Sequence, residues 1–208
     1  MNLLECLVGL ALSLVLVAPL IKNSGEFIGK QIQHEKSQLL AVEADRALEL
    51  MGRAIRMAGY RKAQSFNKSV RKDNSENEYI QIKKNQGYRG SDSLLIKHEI
   101  SHGVDFDCIG NSLSKERTKN NLAHQGFLVD RQASAPKGAK VNGGSLICQS
   151  LDRQGRIQNT TLMNGVDHLS LEALPASAGK AFRIKLKMTD GGFIHRDFER
   201  IFVARNLL

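Results

Sequence analysis

His98-Glu99-Ile100-Ser101-His102 has the HExxH spacing of zinc-dependent proteases, the most suggestive grouping of chemistry-bearing residues in the chain. That chemistry needs two imidazoles on one face of a helix, at i and i+4, so that both reach a single zinc. Here the motif continues out of Ser93-Leu94-Leu95-Ile96-Lys97, a β-prone run, and Gly103 follows it. On a strand, positions four apart share a face but lie roughly 13 Å from one another, too far to share an ion. His124, His168 and His195 come at no spacing that completes a ligand set. The match is read as coincidence, and no metal is expected.

Other catalytic arrangements carry less. Gly143-Gly144-Ser145 lacks the elbow pattern and partners of a nucleophilic serine. The carboxylates form no defined pair, and the glycine clusters do not lead from a strand into a helix as phosphate loops do. Neither an enzyme nor a cofactor is expected, so the organisation of the chain has to carry the functional argument.

That organisation is uneven. From Met1 to Ile21 the only ionisable side chain is Glu5, while all 30 lysines and arginines lie at Lys22 or later. With Glu5 set aside from the 21 acidic residues, the rest of the chain holds 30 positive against 20 negative groups, a net charge of about +10. Such a balance suits nucleic acid, anionic lipid or an acidic partner, but it equally suits solubility, and no basic run is clustered in sequence.

Leu3 to Ile21, LLECLVGLALSLVLVAPLI, is nineteen residues long and spans about 28 Å as a helix, enough to cross hydrocarbon. A cleaved secretory signal would place positive charge ahead of the apolar run, and none is present. A plain anchor leaves Glu5 unexplained, since a carboxylate in lipid costs on the order of 2.5–3.5 kcal/mol and asks for a partner. Pro19 is a position where the helix should kink or end.

Beyond Lys22 the chain becomes amphipathic up to Tyr60. Ile28, Ile32, Leu40, Ala44, Leu48, Met51, Ile55 and Ala58 recur mostly three or four apart, as one apolar face of a helix. A helix from Leu3 to Tyr60 covers roughly 87 Å, the length of a spine rather than of a core element. Gly59 is the expected stop. Residues 61–78 are polar and read as a solvated loop. Short apolar runs then predict strands at Tyr79–Ile82, Ser93–Ile100, Gly126–Asp130, Ser145–Ser150, Val166–Leu174, Ala181–Met188 and Glu199–Ala204. Asp190-Gly191-Gly192 should turn the last two into a hairpin. The expectation is an α+β fold, a long N-terminal helix packed on an antiparallel β-sheet, with segments 1–24 (hydrophobic, transmembrane length), 25–60 (amphipathic helix) and 61–208 (β-rich head).

The N-terminus MNLLECLVGLALSLVLVAPLI resembles the start of a mature type IV pilin, which carries a glutamate five positions in. Further along, Arg56-Met57-Ala58-Gly59-Tyr60, Ser91-Asp92-Ser93-Leu94-Leu95-Ile96, Asp107-Cys108-Ile109-Gly110-Asn111, Leu146-Ile147-Cys148 and Asn164-Gly165-Val166-Asp167-His168-Leu169 follow in the order of PilW-like minor pilins. Phe182-Arg183-Ile184-Lys185-Leu186 and Arg205-Asn206 close the series. Met1 stands where that family usually has phenylalanine.

The resemblance implies several properties, among them that segment 1–24 lies in the filament core and that its helix loosens around Pro19 and Gly9 inside the filament. Met1 is the mature N-terminus left by prepilin peptidase and is N-methylated. Glu5 offsets the positive N-terminus of a neighbouring subunit, a pairing that makes both charges less costly to bury. The chain is a single-pass inner-membrane protein with a periplasmic head, later part of an extracellular pilus at or near its tip. Its partners are the major pilin and other minor pilins, and its role is to prime assembly, with twitching motility, adhesion or DNA uptake downstream. In a periplasmic head the disulfide would be Cys108 to Cys148, closing about 40 residues, while Cys6 is a small apolar residue of the helix. Two alternatives stay open: a minor pseudopilin of a type II secretion system, and a competence pilin whose basic head binds DNA.

Overall fold

The computed structural model describes residues 3–62, 79–101, 105–132, 143–175 and 180–207, with the backbone alone at positions 5, 16 and 18. The chain divides into two units, Met1–Leu39 and Leu40–Leu208.

One helix, α1 (Leu3–Met57), forms the first unit and opens the second. It is helical through Gly9 and Pro19. Proline withdraws a single backbone donor, and strong helix formers such as Leu12, Leu14 and Leu20 surround it. In the first unit the described apolar side chains are exposed, including Leu3, Leu7, Leu14, Ile21 and Phe27. Ile28 and Ile32, the first members of the apolar stripe, are exposed as well.

Within the second unit the stripe is buried. Leu40, Ala44, Ala47, Leu48, Met51, Ala54, Ile55 and Ala58 belong to one hydrophobic core with the sheet. Full burial of Met51 and Ile55 contributes about 1.5–3 kcal/mol each. The helix ends at Met57, and Gly59, at φ +73°, turns the chain out of it. Its N–H donates to Lys97 O at 3.1 Å, tying the helix end to the sheet.

The sheet has seven strands in chain order: β1 (Ile80–Lys83), β2 (Ser93–Glu99), β3 (Leu122–Asp130), β4 (Gly144–Leu151), β5 (Ile157–Leu174), β6 (Lys180–Thr189) and β7 (His195–Ala204). Every neighbouring pair is antiparallel. The α+β architecture is thus one long N-terminal helix and a seven-stranded antiparallel sheet, matching a pilin-like fold at this level. Alternate residues such as Leu94, Ile96, Phe127, Leu146, Ile184 and Leu186 fill the core, while those between them face solvent.

The β6–β7 turn falls where the sequence places it, while β3, β5 and β7 begin earlier than expected, at Leu122, Ile157 and His195. β5 begins nine residues earlier than its apolar portion, and its first half pairs β4 while its second half pairs β6. Register shifts flank Val166, where the strand passes from one neighbour to the other. The β6–β7 hairpin turns at Asp190, whose Oδ1 accepts from the N–H groups of Gly192 (2.9 Å) and Ile194 (3.1 Å).

Candidate functional site

In the first unit, residues 3–39 are helical, their described side chains are exposed except for the half-buried Ser37, and α1 is the one helix among the described residues long and apolar enough to cross a membrane. An exposed apolar surface of this extent marks a site of membrane or protein contact. Glu5 lies on this helix, and Met1 lies outside the described residues. Cys6 is exposed and unpaired.

In the second unit the most built region lies between α1 and residues 105–110. A disulfide joins Cys108 to Cys148 on β4, with a Cα–Cα separation of 6.1 Å, and anchors this segment across the sheet. Asp107 shapes the turn: one carboxylate oxygen accepts from the N–H groups of Ile109 (3.0 Å) and Asn111 (2.8 Å). Arg117 stands 3.5 Å from the other oxygen, and the Asp107 side chain is wholly shielded from solvent. Asp105 is held by Ser101, which donates from its N–H at 2.5 Å and its hydroxyl at 2.7 Å. These carboxylates are engaged in folding the segment rather than presented to a ligand.

Beneath the segment is a cavity of about 330 Å³ lined by Leu50, Ala54, Met57, Gln125 and His98 among others. His98 is 1% exposed, and its Nδ1 has no hydrogen-bond partner. Burial pushes the imidazole below its ordinary range, opposed by the Asp105 charge and reinforced by His124. The ring is therefore held neutral.

His98 is on β2, on the strand that the sequence indicates, and its i+4 partner His102 lies outside the described residues. Among the described residues no group of three or more histidines, cysteines or acids is placed to hold a metal. His124 faces Lys97 across the β2–β3 ladder, His168 is on β5 and His195 opens β7. Ser145 is buried on β4, and its hydroxyl lies 2.6 Å from Asn164 Oδ1, an amide and not a base.

A third engaged carboxylate, Asp92, carries no local sequence signal. Asp92 sits before β2 at 4% exposure and accepts from Leu171 N–H at 2.8 Å, Asn85 N–H at 3.2 Å and Lys84 Nζ at 2.8 Å. It fastens the β1–β2 connection onto β5. Burial alone would raise its pKa; the Lys84 ammonium and the two backbone donors outweigh that and hold it below the usual carboxylate range.

Comparison of the chain with protein-family models, with curated proteins and with solved structures finds no match.

Proposed function

We propose that the chain is a minor pilin of a type IV pilus, PilW-like, inserted through its N-terminal helix and helping to prime assembly in a complex at the filament tip. The observation that carries this reading is the pairing of an outward-facing apolar helix bearing Glu5 with a disulfide-stapled antiparallel head. A helix with that surface must be buried in lipid before assembly and among other helices after it. Glu5 then serves as the assembly residue, neutralised by the N-methylated amine at the start of a neighbouring subunit. Pro19 and Gly9 become sites where α1 loosens inside a filament rather than in the free chain. The partners are the major pilin, other minor pilins and prepilin peptidase, and the location is the inner membrane and then the pilus. The head needs no catalytic centre in this role.

The deciding experiment replaces Glu5 with alanine and counts surface filaments, with processing and membrane level of the subunit followed separately. Loss of filaments while the processed subunit persists supports the reading. Normal filaments with Glu5→Ala, alongside their loss on deletion, would remove the charge-pair account. Normal filaments in both, with impaired secretion, would assign the chain to a type II secretion pseudopilus instead.

A further inference from the structure

Two cavities in the second unit join into one groove along α1. The cavity of about 330 Å³ lined by His98 and a neighbouring one of about 540 Å³ share Leu50, Arg53, Phe106, Asp107 and Cys108. The floor is apolar, with Ala47, Leu50, Ala54 and Met57 from the helix and Ile109 and Leu162 from the head. Arg46, Leu50, Arg53 and Met57 recur at helical spacing, so the groove follows one stripe of α1 for roughly 16 Å. The Cys108–Cys148 disulfide fixes the 105–110 segment that forms the other wall. Volume and lining are those of a small-molecule site, apolar with few polar groups.

The polar groups differ between the two ends. At one end His98, 1% exposed, lines the cavity with an Nδ1 that has no hydrogen-bond partner. Asp105 lines the same cavity and its charge bears on that ring, so an anion is unwelcome there. Nδ1 of a neutral imidazole donates or accepts according to its tautomer, and a hydroxyl satisfies either. At the other end the exposed Arg46 lines the larger cavity beside Glu43. Among the described residues Arg46 has no carboxylate within 4.0 Å. Arg53 and Arg56 share Glu49, which leaves this stretch of helix with more guanidinium groups than carboxylates facing them.

We infer that the groove binds an amphipathic hydroxy acid, its alkyl chain along the apolar floor, its carboxylate at Arg46 and its terminal hydroxyl on His98 Nδ1. The distance from Arg46 to Met57 along the helix suits an extended chain of medium length. A chain without the hydroxyl leaves the imidazole unsatisfied, and a buried polar atom without a partner is costly. The inference does not rest on the filament reading: filament counts do not bear on it, and uptake of an acid does not bear on Glu5.

The test uses the full-length chain exchanged from detergent into amphipol, so that free micelles are absent. Equilibrium dialysis compares radiolabelled ω-hydroxydodecanoate with dodecanoate, and amphipol alone is the blank. A merely apolar surface takes up the plain chain at least as well, so a preference for the hydroxylated acid reports the buried imidazole. The parent should bind ω-hydroxydodecanoate about ten-fold more tightly than dodecanoate. His98→Leu should remove that preference. Arg46→Gln should weaken both acids about two- to five-fold and leave the preference in place. Equal uptake of the two acids by the parent overturns the proposal, as does a preference that survives His98→Leu or uptake no greater than that of amphipol alone. Unchanged binding in Arg46→Gln overturns the placement of the carboxylate. The comparison of the two acids on the unaltered chain stands even where a variant folds poorly.

Discussion

Gly52 on α1 lies against the ring of Phe202 on β7, with no room between them for a β-carbon. The Arg56 guanidinium stands 5.7 Å from the centroid of the same ring, so Phe202 is held by a missing side chain and by a cation. Glycine inside a helix ordinarily costs about 0.5–1 kcal/mol relative to alanine, yet here it lets helix and sheet approach closely. Gly52→Ala should therefore lower stability by about 1–3 kcal/mol through overpacking. Thermal unfolding of the full chain in detergent checks this, with Phe202→Leu added to relieve the collision and recover part of the loss. A melting temperature raised by Gly52→Ala alone would mean that helix propensity outweighs the contact.

The Cys108–Cys148 disulfide closes a loop with a sequence separation of 40. In the chain-entropy account such a closure stabilises by about 3–4 kcal/mol. Cys108→Ala/Cys148→Ala should lower the denaturation midpoint accordingly, and reductant should have no further effect on the double variant. A midpoint unaffected by removing both cysteines would show that packing alone holds residues 105–110 against the sheet.

Much of this architecture is legible in the residues, and the parts that are not share a physical reason. The helical stripe from Leu40 to Ala58 and the strands with apolar inner faces announce themselves by period. The first half of β5 does not, because Gln158, Asn159, Thr160 and Thr161 offer no apolar alternation and the strand is specified by its pairing with β4. Ile28 and Ile32 carry the helical period but are exposed, since periodicity reports a face and not what covers it. Gly52 and Asp92 carry no local signal, because their importance lies in contacts 150 and 79 positions away.

Asp92 gives a prediction at the acid end. Its folded pKa lies below the ordinary carboxylate value, so the folded state prefers the ionised form and its contribution is fully present above about pH 4–5. As pH falls through the ordinary range towards the depressed folded value, the unfolded chain takes up the proton first and stability is lost. Asp92→Asn should cost about 2–3 kcal/mol at neutral pH, mainly from the Leu171 and Asn85 N–H bonds, since Lys84 is largely exposed. It should also flatten the acid limb of a stability–pH curve. A variant with unchanged neutral stability would mean that the amide reproduces the carboxylate's contacts.

His98 acts in a milder window with the same sign. Its imidazole is buried, lacks a partner at Nδ1 and titrates below its ordinary value, so between about pH 6.5 and that lower value the unfolded state binds the extra proton. Stability should fall as pH drops through that window, against the moderating charge of Asp105 and with the assistance of His124, itself shifted down by burial. His98→Leu removes both the titration and an unsatisfied buried polar atom, and the cavity of about 330 Å³ beside it leaves space for the branched side chain. The variant should match or exceed the parent at pH 7.5 and lose less stability by pH 5.5, as measured by chemical denaturation at the two pH values. Parallel losses in parent and variant would move the acid sensitivity elsewhere, with His124, which faces Lys97 and Lys119, the next group to replace.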